Sequence, residues 1–139
     1  METLENRVAE IEAEFELVGE WNDRYRLLVD WGISLKALPE AERTETCFVS
    51  GCSSPLWLKA GVNEGVCSVG GFSPGVLPNA LVALLVRLYD GLPADGLGPE
   101  IDLSERLDLG RHLTPTRELT FGRLQKLVAQ ALRFPVVVL

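Results

Sequence analysis

Histidine is almost absent from this chain of 139 residues: His112 stands alone, so an HExxH zinc site is excluded outright. Cysteine is sparse and odd in number. Cys47, Cys52 and Cys67 contain no CxxC pair and close no disulfide framework. A chain of this length can bury its own core and needs no such staple. Positive charge is in deficit, with 13 Lys and Arg against 20 Asp and Glu, a net charge of -7. That balance offers nothing to track phosphates, and no nucleic acid partner is expected. Long apolar runs are missing as well. The longest interior one, Ala80 to Val86, is far too short to span a bilayer, so no membrane partner is expected. The opening METLENRVAEIEAEFE is acidic where a secretory leader is basic, and a reducing cytoplasm is the expected compartment. A phosphate-binding P-loop is also lacking, because Gly70 and Gly71 have no accompanying lysine.

What remains is an ordinary globular composition, 47% hydrophobic and 24% charged, expected to form one domain over residues 1–139. Leu4, Val8, Ile11 and Phe15 recur at helical spacing behind Thr3, a good N-cap, and Gly19 ends that helix. A second helix is predicted from Trp21 to Leu38, with Tyr25, Leu28, Trp31 and Leu35 on one face and Pro39 as its stop. Its aromatics read as packing. Between Thr44 and Phe72 the period changes to that of strands. Three antiparallel strands are predicted: a run about Thr46 to Ser50, a second about Leu56 to Lys59, and a third from Val66 to Val69. Gly61 to Gly65 supplies hairpin-turn chemistry between the last two. Asn79 is predicted to cap a buried helix from Ala80 to Tyr89, and a short amphipathic helix follows near Leu103 to Leu107. Thr114 caps a last helix, with Pro115 at its first position and Leu124, Leu127, Val128 and Leu132 as its apolar face. The apolar tail from Phe134 to Leu139 is open between a terminal strand, a contact with a second subunit and a cloning remnant.

Chemistry concentrates at Cys52. It lies in Val49-Ser50-Gly51-Cys52-Ser53-Ser54-Pro55-Leu56-Trp57, among small residues at the exit of a strand. A loop of that kind can present a sulfur and let another molecule's backbone approach it. The competing reading is a small buried hydrophobe, the common fate of a free cysteine. A Cys52–His112 nucleophilic dyad is a further possibility that spacing leaves open. Cys47 and Cys67, in strand patterns, read as packing.

Four ordered motifs carry a family resemblance. Gly51-Cys52-x-Ser54-x-x-Trp57 resembles the GCxSxVW signature of the SufE family, and Trp21-x-x-Arg24-Tyr25-x-x-Leu28 resembles its WxxRYxxL helix. Gly32, Leu35 and Pro39 then fall where that family has LGxxLPxLP. Ala80 to Leu85 resembles the GLxALLL helix, and His112-Leu113-Thr114-Pro115-Thr116-Arg117 is close to HLSPSR. The resemblance implies an α+β fold, a small antiparallel sheet packed by helices, shared with IscU-type cluster scaffolds. It implies a sulfur acceptor of iron–sulfur cluster assembly, a covalent persulfide carrier that needs no cofactor. Cys52 would receive the sulfur, Arg117 would match the family's arginine in its last motif, near the acceptor loop, and His112 of the same motif would be a further site residue. The implied partners are a SufS/CsdA-type cysteine desulfurase, which the protein would stimulate, and a SufBCD-type scaffold complex, with the chain a monomer or weak homodimer.

The chain departs from the family pattern in three places. Phe72-Ser73-Pro74-Gly75 has no carboxylate where the family has an Asp-Ser-Asp-like segment. Leu119-Thr120-Phe121 replaces an asparagine-glycine pair, and Ser53 and Pro55 stand where glutamine is common. Two other readings stay open. Cys47, Cys52, Cys67 and His112 could together hold zinc or an iron–sulfur cluster, although C-x4-C-x14-C matches no zinc template. The fold could also serve as a non-catalytic module that docks on a desulfurase through its acidic surface.

Overall fold

In a computed structural model the structure describes residues 1–111 and 113–134, and of Trp21 only the backbone. The elements in chain order are α1 (Leu4–Val18), α2 (Trp21–Ser34), β1 (Trp57–Asn63), β2 (Val66–Phe72), α3 (Val76–Tyr89), the single-turn α4 (Leu103–Arg106) and α5 (Pro115–Arg133).

α3 is the axis of the fold. Ala80 through Leu85, with Leu88 and Tyr89, are all buried, so this helix has almost no face left for water. Three elements cover it. α2 crosses it at Gly32, where a Cβ would lie 3.0 Å from the Ala80 backbone. β2 lays Cys67, Val69 and Gly71 against it, and a Cβ on Gly71 would come within 2.7 Å of Val82 Cγ1. α1 adds Leu4, Val8, Ile11 and Phe15, all buried as their spacing predicts. Arg7 of α1 donates from Nη1 to the carbonyls of Arg87, Leu88 and Asp90. It thereby satisfies orphan acceptors at the C-terminal end of α3, where a cation also complements the helix dipole.

The sheet is a two-stranded antiparallel hairpin, with Trp57 opposite Phe72 and Asn63 opposite Val66. Its turn is Glu64-Gly65, at φ 51° and 77°, the two left-handed residues that a type I′ turn requires. The three-stranded sheet expected from the sequence is therefore reduced by one strand. The run about Thr46 to Ser50 makes only an isolated bridge, Phe48 opposite Trp57, closed by Val49 N–H to Leu56 O and Leu58 N–H to Cys47 O, both 2.8 Å. Upstream, the amides of Cys47 and Phe48 are already taken by the carbonyls of Thr44 and Glu45 in tight turns. Downstream, Gly51 turns the chain away at φ 83°. No room is left for a longer ladder.

Two other expectations shift. α2 ends at Ser34 rather than running to Leu38, because Leu35 turns extended and the Leu38 amide donates to Gly71 O at 3.0 Å. Pro39 also disfavours a helical Leu38. α3 begins at Val76 behind Gly75, so Asn79 sits inside its first turn instead of capping it. The helix starts at Thr3 and Thr114 are as expected, each hydroxyl accepting an amide three residues on. Of the apolar tail, residues 135–139 lie outside the described residues.

Gly71→Ala would drive a methyl into Trp57 O and Val82, so it is expected to lower unfolding stability by about 2 kcal/mol. Gly61→Ala on the paired strand meets nothing within 4 Å and should change stability by less than about 0.5 kcal/mol. Urea unfolding of both variants measures the difference; equal stabilities would refute the close approach of α3 to the sheet.

Candidate functional site

The loop from Ser50 to Pro55 is built from its ends inward. Val49 N–H to Leu56 O closes its base, and Leu56 is fully buried, so the neck is fixed in the core. At the far end, Ser73 Oγ donates to Pro55 O at 2.7 Å. Ser73 is itself buried and held: its amide donates to Asn79 Oδ1 at 3.1 Å, and its Oγ accepts from the Gly75 amide at 3.2 Å. Asn79 in turn donates from Nδ2 to Gly32 O at 2.9 Å, which ties the loop to the α2–α3 crossing. A Cβ on Gly75 would sit 2.6 Å from Ser54 Oγ, so the loop also rests directly on the start of α3.

At the near end the partner is Arg123 of α5. Its Nη2 donates to Ser50 O at 2.7 Å. Its guanidinium lies over Gly51, with Nη1 3.2 Å from where a Cβ would be. Gly51 is thus required twice, by its φ of 83° and by the cation above it.

Cys52 lies between these anchors. It is half-buried, packed against the edge of the hydrophobic core, and among the described residues its thiol and amide make no hydrogen bond. A sulfur so placed is partly sheltered yet reachable. Trp57, at the end of the same motif, packs on the outer face of the hairpin, stacked on Phe72 at 6.3 Å and edge-on to Phe48 at 5.5 Å. Beside the loop runs an open groove of about 400 Å³, lined by Cys47, Phe48, Ser50, Lys59, Arg123 and Leu127.

The other sequence candidates are placed as follows. Arg117 stands in the first turn of α5, its amide donating to Thr114 Oγ1, and its Nη1 is buried without a hydrogen-bond partner among the described residues. The arginine bonded to the Cys52 loop is Arg123, six residues further along the helix, which sequence reasoning missed. His112 lies outside the described residues. The three thiols of the alternative metal set are not gathered. Cys67 is buried against α3 opposite Val62, whereas Cys47 pairs with the other end of β1 at Leu58. Among the described residues no three His, Cys, Asp or Glu side chains could hold a metal ion. Ser73 was also missed as a site residue. Its hydroxyl fixes the loop from the segment where the family has a carboxylate.

Burial pushes the Cys67 thiol up from its ordinary pKa, against a smaller opposing influence of Arg7 and Arg133. Among the described residues no helix is long and apolar enough to cross a membrane.

Comparison with known proteins gives a consistent result. A family model described as SufE, Fe-S metabolism associated domain, matches residues 9–132. An uncharacterized SufE-like protein of Rhizobium meliloti is 28% identical over 110 residues, 75% of this chain and 79% of that protein. One of Rhizobium etli is 35% identical over 85 residues, 58% of this chain and 57% of that relative. The solution structure of a hypothetical protein from Thermus thermophilus has the same fold, with a TM-score of 0.68 at 20% identity over 96% of this chain and 99% of that one.

In the native protein, iodoacetamide is expected to label the half-exposed Cys52 and Cys47, and to label Cys67 at least about a hundredfold more slowly, since that thiol waits for local opening. Peptide mass mapping with and without denaturant measures this. Native labelling of Cys67 at the rate of Cys52 would contradict its burial.

Proposed function

The chain belongs to the SufE family, a domain associated with iron–sulfur metabolism, and on that premise we propose that Cys52 accepts persulfide sulfur from a cysteine desulfurase and passes it to a cluster-assembly scaffold. The observation that carries this reading is the loop itself. Among the described residues Cys52 is the one thiol set between two tethered ends, without a hydrogen bond of its own and half open to a partner.

The chemistry asks little of the protein. The Cys52 thiolate attacks the outer sulfur of the donor persulfide. A new S–S bond forms to Cys52, the donor S–S bond breaks, and the donor cysteine leaves as thiolate, so no external oxidant or reductant enters. The proton lost from the Cys52 thiol is balanced by the one the released donor thiolate takes up. Delivery repeats the exchange in the other direction. What the fold contributes is positioning and partial shelter, since a persulfide open to solvent thiols would be lost by the same exchange.

Arg117 acts in this reading as an organiser. A buried donor without an acceptor is costly, and an anion or a partner's carboxylate that reached Nη1 would remove that cost. The cytoplasm, where thiols stay reduced, is the compartment this chemistry requires.

Incubation with a cysteine desulfurase and free cysteine, followed by non-reducing intact-mass measurement, tests the proposal. Wild type should gain one sulfur atom, lost on reduction. Cys52→Ser should gain none, and Arg117→Ala should load roughly tenfold more slowly. An unchanged wild-type mass would sink the acceptor reading, and a Cys52→Ser variant that kept its full effect on a desulfurase would favour the docking module.

A further inference from the structure

The two ends of the acceptor loop are held by bonds of different kinds. Pro55 is fixed from the inside, by a serine that is 3% exposed and locked by Asn79 to the α2–α3 crossing. Ser50 is fixed from the outside, by an arginine whose side chain reaches it across solvent. Breaking the buried bond strands a donor and an acceptor away from water, whereas breaking the exposed one exchanges a protein partner for a water molecule. Of the two ends, the one at Ser50 therefore costs less to release.

We propose that Arg123 is the latch of this loop: a positioning residue that holds Ser50 and Gly51 down, keeps Cys52 in its half-buried place, and releases it when the bond to Ser50 O is given up. The inference rests on Cys52 as sulfur acceptor. Three features fit the role. The bond is single, since among the described residues Arg123 donates only to Ser50 O. The guanidinium also covers Gly51, the residue next to Cys52, and only a glycine leaves space for it there. The loop neck is closed independently by Val49 N–H to Leu56 O at 2.8 Å, so opening at Ser50 leaves the core intact. A desulfurase that offers its own acceptor to the Arg123 guanidinium would free the loop as it docks.

The test is the rate of Cys52 alkylation by iodoacetamide in the folded protein, followed by peptide mass, with no sulfur donor present. Arg123→Ala should raise the rate roughly fivefold, the weight of one exposed charge-assisted hydrogen bond, with its melting temperature lowered by no more than a few degrees. Arg123→Lys, which keeps a donor at the end of a long stem, should return the rate to within about twofold of wild type. Leu127→Ala, one turn along the same helix, should behave as wild type. Wild-type rates in Arg123→Ala would overturn the latch, as would equal acceleration by Leu127→Ala, which would assign the effect to α5 packing. Alkylation is blind to whether Cys52 ever carries sulfur, so failure of the latch and failure of the acceptor reading are seen in separate experiments.

Discussion

A helix that is apolar around most of its circumference is the constraint from which the rest of this structure follows. α3 presents leucine, valine and alanine around most of its circumference, Asn79 and Arg87 aside, so it is stable only where other elements cover that surface. One hairpin cannot do this and neither can one helix. The glycines mark how close the cover must come: Gly32 lets α2 reach the α3 backbone, and Gly71 lets the sheet reach Val82. Once those contacts are made, the segment joining β2 to α3 has no freedom left. Ser73 and Asn79 are then fixed where one bonds the other and Ser73 meets Pro55. The position of the Cys52 loop is thus a consequence of burying α3.

That origin explains the asymmetry of the loop. Its Pro55 end inherits the rigidity of the core, while its Ser50 end is reached only by a surface side chain from α5. α5 packs along β1 through a buried stripe of Phe121, Leu124, Val128 and Leu132, and Arg123 projects from the edge of that stripe. A group-transfer cysteine must meet two demands that conflict: shelter while loaded and access while exchanging. A loop tethered firmly at one end and lightly at the other satisfies both without a large rearrangement. Releasing the Ser50 end would cost one exposed hydrogen bond, a scale that a docking partner can supply.

Legibility in the sequence follows the range of the interactions involved. α1 and α5 could be read because their caps and apolar stripes are local: Thr3 and Thr114 bond amides three residues away. The hairpin was legible in outline, since Asn63-Glu64-Gly65 advertises its turn. The run from Thr46 to Ser50 has the alternation of a strand but not its partners, because turns at Thr44 and Gly51 clip it to a bridge. α2 has the pattern to continue to Leu38, yet a carbonyl of the sheet takes that residue's amide. In both cases a contact distant in sequence overrode a local preference.

The site divides along the same line. Cys52 could be singled out because glycine and small residues around a thiol are a local pattern with a chemical meaning. Arg123 could not, since nothing in Phe121-Gly122-Arg123-Leu124 distinguishes it from any surface arginine until α5 is laid along β1. Ser73 was hidden for a different reason. It stands in a breaker-rich loop that the sequence marks only as irregular, and only the fold shows that its hydroxyl holds Pro55. A hydroxyl can do so because the loop end needs a donor to a carbonyl. The anchoring of the thiol loop thus depends on a neutral hydrogen bond inside and a charged one outside.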